Sequence, residues 1–304
     1  MMNKLHILST LLTLGLVGVT WTSCSDAYDL DLEIHDPSCF FEPSEGDDSQ
    51  EANLRRDFQQ QHNAFLLFND TLQHRFNGLD INGDSTFWTE RLALDYEIGQ
   101  TAYPSNSYDY TNLNTIEDKE LAVDFLETYV LPHIGARLMP YSWYLCGQIN
   151  YRTSSTSAPS HPYAATGQRC IVVAFSQLKK LKTDAQKQQF VSRILTAILP
   201  QLAMNKSEAF NEFYAVSENY YDRTTTDDIT EARHVVRYYG FLDYVKNTWG
   251  HCATPTKEKD LTMYCTYSLT YTDEQIEQMY ADYPVVLKKW RIFKKVMTDI
   301  GFIF

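Results

Sequence analysis

Three short spacings in the sequence carry residue types that can hold a metal. Glu231 and His234 are three apart in a segment of helical periodicity and would present a carboxylate and an imidazole on one face. His251 and Cys252 set nitrogen beside sulfur. Asp80, Asn82 and Asp84 in DINGD have the oxygen spacing that opens a calcium loop, but Ser85 and Arg91 stand where such a loop needs Gly and Glu. None of these is a complete ligand set. The first reads as a surface contact, the second as a pair whose sulfur a Cys252–Cys265 disulfide would consume, and the third as a plain turn. The chain also lacks a G-x-S-x-G elbow, a phosphate-binding glycine loop and any C-x-x-C pair. No metal and no cofactor is expected.

Aromatic side chains are the other chemical resource, with 21 tyrosines and five tryptophans. Rings that carry a hydroxyl or indole donor can stack on a sugar or grip a peptide. Tyr141 and Trp143 in YSWY, and Tyr220 and Tyr221 in ENYYDR, are the candidate contacts. Against that reading stands the general use of such rings in core packing.

The positioning elements begin with a leader. Lys4 is followed by an apolar run from Ile7 to Val19 that is too short to cross a bilayer, then by Thr22-Ser23-Cys24. That pattern fits a lipoprotein signal over residues 1–23 with lipid carried on Cys24, although Trp21 stands where an aliphatic residue is usual. Asp26, Asp29, Asp31 and Glu33 follow, like the surface-export signal of some outer-membrane lipoproteins, and residues 24–52 read as an acidic tether. The membrane is met through the lipid anchor only. Loss of Lys4 with the leader takes the formal charge from -13 to -14, and so acidic a surface excludes nucleic acid as a partner. The pairing of Cys39, Cys146, Cys170, Cys252 and Cys265 stays open.

Residues 53–304 read as a single α+β domain, strands first and helices afterwards. AFLLFNDTL, WYLCGQINYR and RCIVVAFS have strand composition. IEDKELAVDFLETYVLPHI carries a helical stripe through Leu121, Phe125 and Val130. Thr183 and Gln186 form a capping-box pair ahead of Phe190, Ile194, Leu195, Ile198 and Leu202, one apolar helical face. Asp227 or Asp228 caps a segment in which Val235, Tyr238, Tyr239, Leu242 and Val245 recur at three to four. A last helical region, from Asp273 to about Met297, is interrupted by Pro284.

In this order the elements resemble the substrate-import-associated zinc metallohydrolase lipoproteins, a family of zinc-binding metallopeptidases. The resemblance runs over residues 54–304. It rests on ATGQRCIVVAF ahead of the long helix, on Phe213, Val216, Ser217 and Tyr221 after it, on Gly240-Phe241 before KDLTMY, and on the closing YPVVLKKWRIFKKVMTDIGF. It implies a zincin-like fold, a place at the bacterial cell surface, and partnership with a TonB-dependent importer and a surface binding lipoprotein around a peptide or glycan. It also implies that HExxH should fall with its histidines at Ala197 and Gln201, its catalytic Glu at Ile198 and the third ligand at Met263. None of those ligands is present, no His or Glu lies anywhere from Thr183 to Lys206, and Pro200 sits inside the helix. The expectation is a metallopeptidase homologue without catalysis. The alternatives are a zinc hydrolase with other ligands and an unrelated glycan- or peptide-binding module.

Overall fold

The computed structural model describes residues 41–92, 94, 107–154 and 156–304. The leader, Cys24, Cys39 and most of the acidic tether lie outside them. The described chain is mixed α and β, a small sheet followed by a mainly helical C-terminal half. Among the described residues no helix is long and apolar enough to cross a membrane.

The sheet is organised around β5 (Ser142–Arg152), the long strand read from WYLCGQINYR. On one side β7 (Cys170–Ala174) runs parallel to it, and β6 (Ala164–Thr166) closes that side antiparallel to β7. On the other, β1 (Phe65–Leu67) pairs parallel with the start of β5, and β4 (Ser107–Asn112) pairs antiparallel with the rest. Strand alternation divides the side chains between two cores. Trp143, Leu145, Ile171 and Val173 join the large core shared with the helices, whereas Tyr144, Cys146, Val172 and Ala174 join a smaller cluster on the far face with Phe41 and Cys170. β7 is therefore buried on both faces, which is why CIVVA reads as an unbroken apolar run.

A first helix, α1 (Gln50–His62), is capped by Ser49, whose Oγ accepts from the Ala52 N–H. It begins inside the stretch assigned to the tether, and Phe41 ahead of it is already buried. Strands β2 (Thr71–Leu79) and β3 (Ser85–Arg91) form a separate antiparallel hairpin that the composition did not announce. α2 (Ile116–Phe125) continues through a wider turn to Val130. Its buried side is Ala122, Val123 and Phe125. Leu121, placed on the stripe by sequence, is instead exposed at the rim of a cleft beside Leu178 and Lys179.

The central helix, α3 (Asp184–Met204), starts with the capping box of Thr183 and Gln186 and continues through Pro200. Phe190, Ile194, Leu195, Ile198 and Leu202 are all buried, as the period requires. It packs against β6 and against α6 (Lys257–Ser268). Between them lie α4 (Asn211–Ala215), α5 (Ile229–Tyr238) and the short β8 (Val245–Lys246) and β9 (Cys252–Ala253). Asp228 caps α5, but the helix buries Ala232 and Val236 and leaves Tyr238 exposed, so the expected stripe through Val235 and Tyr238 is displaced by one position. The closing region divides at the proline into α7 (Asp273–Met279) and α8 (Pro284–Ile300), with Pro284 in the first turn of α8, where its missing N–H costs nothing.

Candidate functional site

On α3 the four degenerate positions separate. Ala197 and Gln201 are exposed, and the Gln201 amide donates to Asn205 Oδ1 at 3.0 Å. Ile198 points the other way and is completely buried in the main core. Met263 is half-buried on α6, packed against that core. The helix thus turns a small and a neutral polar side chain outward and an aliphatic one inward.

The residues that carried the resemblance instead converge on a point inside the helical half. Lys289 of α8 and Asp260 of α6 are both wholly buried, with Lys289 Nζ 2.6 Å from Asp260 Oδ2. The ammonium has three N–H donors, and each finds an oxygen: Asp260 Oδ2, Ser217 Oγ at 2.7 Å and Tyr221 Oη at 3.2 Å. Tyr221 in turn donates to Asp260 Oδ2 at 2.7 Å, and Ser217 donates to the Tyr239 carbonyl at 2.7 Å. Four rings surround the charge, with Nζ 4.5 Å from the centroid of Phe213, 4.7 Å from Phe241, 5.3 Å from Tyr221 and 5.6 Å from Tyr264. Tyr264 donates to the Gly240 carbonyl. Gly240 has a positive φ of 90°, and a Cβ there would meet Ser217 Oγ and Val285 Cγ1 at 3.1 Å each, so both backbone and space call for glycine at this approach.

Burial sets the electrostatics. Loss of water pushes the Asp260 carboxyl above the usual carboxylate range, opposed by Lys289 and by the Tyr221 hydroxyl. The same loss pushes Lys289 below the ordinary lysine value, opposed by Asp260. The Tyr221 phenol is pushed up by burial and by the neighbouring carboxylate. Asp260 Oδ1 is buried without a hydrogen-bond partner among the described residues. This arrangement can tie α6, α8 and the segment after α4 together through one charge, but it leaves Asp260 Oδ2 fully used and enclosed.

Of the candidate aromatic contacts, Tyr221 belongs to this enclosed cluster. Tyr220, next in sequence, is exposed and stacks on Tyr239, with centroids 3.9 Å apart and planes 5° from parallel. Tyr141 is exposed at the head of β5, with the Arg169 guanidinium 4.6 Å from its ring centroid. Trp143 is fully buried on the helix side of the sheet, and its Nε1 has no hydrogen-bond partner among the described residues. These four residues do not form one surface.

The metal-type spacings are likewise occupied. His234 Nδ1 lies 2.6 Å from the Tyr283 hydroxyl. His251 pairs with Asp227 at 3.0 Å, while Cys252 is buried and accepts from Lys246. Cys146, Cys170, Cys252 and Cys265 are free thiols, and burial raises the Cys170 thiol to about 12. Asp80 Oδ1 accepts from the N–H groups of Asn82 and Asp84 and closes the β2–β3 turn. Among the described residues no group of three His, Cys, Asp or Glu side chains is placed to hold a metal.

Lys289 is the residue that sequence reasoning passed over. Its signal was present: it interrupts the stripe of Val286, Trp290, Phe293, Val296 and Met297, so the helical period places a lysine on a buried face. No protein-family model, no curated protein and no solved structure matches the chain.

Proposed function

We propose that the chain is a lipid-anchored, non-catalytic relative of the zinc metallopeptidases. On this reading it keeps a zincin-like fold at the bacterial cell surface and holds a glycan or peptide for a TonB-dependent importer and its surface binding lipoprotein. The observation that carries it is chemical. The positions given by resemblance to the ligands and base are Ala197, Gln201, Met263 and Ile198, and the acid of KDLTMY, Asp260, is committed to Lys289 inside the core. A catalytic zinc needs three nitrogen or oxygen ligands and a base for its water. A methyl, an amide, a thioether and an aliphatic chain do not supply them.

The order of elements supports the kinship. The Thr166-Gly167 turn and the buried β7 lead into α3, and Phe213, Ser217, Tyr221, Gly240-Phe241, Asp260 and the closing helix then meet around one ammonium. The place at the surface rests on Cys24 and the acidic residues after it. The test is metal content, peptide hydrolysis and melting temperature with and without chelator. Purified protein should hold no stoichiometric zinc and melt at the same temperature in chelator; bound zinc with chelator-sensitive hydrolysis would favour an enzyme with other ligands. Cys24→Ala should release the processed protein from the membrane, and its retention there would sink the lipoprotein reading.

A further inference from the structure

A cleft of about 490 Å³ opens beside the C-terminal end of α3, lined by Arg137, Tyr141, Thr166, Gln168, Asn205 and Lys206 over a floor that includes Leu138, Ile171 and Leu202. Its size is that of a small-molecule site. Its charge is opposite to that of the molecule. The chain carries a formal -13, yet among the described residues the lining contains two cations and no carboxylate. Neither cation has an ion-pair partner among the described residues: Arg137 gives one N–H to the Asp299 carbonyl and leaves the rest of its fork, and Lys206 is exposed. Arg169 lies next to the cleft, stacked on Tyr141. Thr166 also lies in the lining, but its Oγ1 is sealed from solvent and has no hydrogen-bond partner among the described residues, so the polar groups open to the cleft include the two cations and the amides of Gln168 and Asn205.

We propose that this cleft binds a carboxylated sugar, a uronic acid unit of a glycan. The guanidinium of Arg137 and the ammonium of Lys206 take the carboxylate. The amides of Gln168 and Asn205 take ring hydroxyls, and the apolar floor and the Tyr141 ring receive the C–H face of the pyranose. A sugar suits this site because the polar lining consists of side-chain amides and cations around one opening with an aromatic ring beside them. Asn205 also accepts from Gln201, so the cleft adjoins the outward face where the resemblance would put substrate. The proposal rests on the reading of the protein as a binding relative of an enzyme, and it narrows the ligand from peptide or glycan to an anionic glycan.

The test is calorimetric titration of the purified chain with a galacturonate disaccharide and with the matching neutral galactose disaccharide at low and moderate salt. The acid should bind at least tenfold more tightly than the neutral sugar, with affinity falling as salt rises. The double variant Arg137→Gln/Lys206→Gln should lose about tenfold or more for the acid while melting like the parent. Equal binding of the two disaccharides, no saturable binding of either, or unchanged affinity in the double variant overturns the proposal. So does binding of a peptide C-terminal carboxylate with no binding of the uronate. A failure of this kind in a protein that is also free of zinc and inert removes the site but not the non-catalytic reading, which falls only to the metal and hydrolysis measurements.

Discussion

Replacing Lys289 with methionine tests what holds the helical half together. The unbranched thioether follows the lysine stem, so the loss of packing volume is small and the perturbation is electrostatic. Three charge-assisted hydrogen bonds disappear, and Asp260 keeps only the Tyr221 hydroxyl as donor. Removing one member of a buried ion pair costs about 3–5 kcal/mol, which for a domain of this size lowers the melting temperature by roughly 6–20 °C. The double variant Lys289→Met/Asp260→Leu removes both charges, and pairs replaced in this way come out close to neutral or better. It should recover to within about 2 kcal/mol of the parent, less any cost at the Tyr221 hydroxyl. The pH dependence has a definite sign. Burial already raises the Asp260 carboxyl above its ordinary value of 3.8, and without Lys289 nothing cationic opposes that rise. A carboxyl raised in the folded state stabilises below its unfolded value and loses that contribution as pH climbs through the folded one. The deficit of Lys289→Met relative to the parent should therefore grow between pH 5 and pH 8. Urea unfolding of the parent, both single variants and the double variant at these two pH values gives the coupling free energy directly. A cost below about 1 kcal/mol for Lys289→Met, or strict additivity in the double variant, would refute the view that one buried charge ties these helices together.

Ile198→Glu should destabilise by more than about 3 kcal/mol, because it puts a carboxylate into a wholly buried apolar site, whereas histidine at the exposed positions 197 and 201 should fold normally; circular dichroism melts of the three variants decide it. Thr183→Ala removes the cap of α3 and should cost about 1 kcal/mol in urea unfolding. Gly135→Ala should cost roughly 1–3 kcal/mol or shift the backbone, since the added Cβ would lie 2.6 Å from the Gly301 carbonyl oxygen, and an unchanged melting temperature would contradict that close approach.

The local chemistry of the sequence sufficed for elements whose burial follows a simple period. The capping box at Thr183, the apolar face of α3, the unbroken apolar β7 and the proline that opens α8 all follow from residue type and spacing. So does the absence of a metal-binding spacing on α3. The hairpin of β2 and β3 was not legible, because its strands mix polar and apolar residues and leave Phe76 and Phe87 exposed. The stripes on α2 and α5 were legible but misplaced: which of several adjacent apolar residues faces inward depends on what packs against the helix, and periodicity alone leaves that free by a position. The candidate site divides in the same way. Sequence could name Tyr141, Tyr221, Asp260 and the closing helix as separate motifs. Only the tertiary structure brings Asp260, Tyr221, Ser217 and Lys289 within hydrogen-bond distance across separations of up to 72 residues, and only it sets Arg137, Thr166 and Lys206 around one opening. The physical reason is range. Capping and periodicity act over a few residues along the chain, whereas the charge on a side chain matters through what stands opposite it, and folding chooses that neighbour.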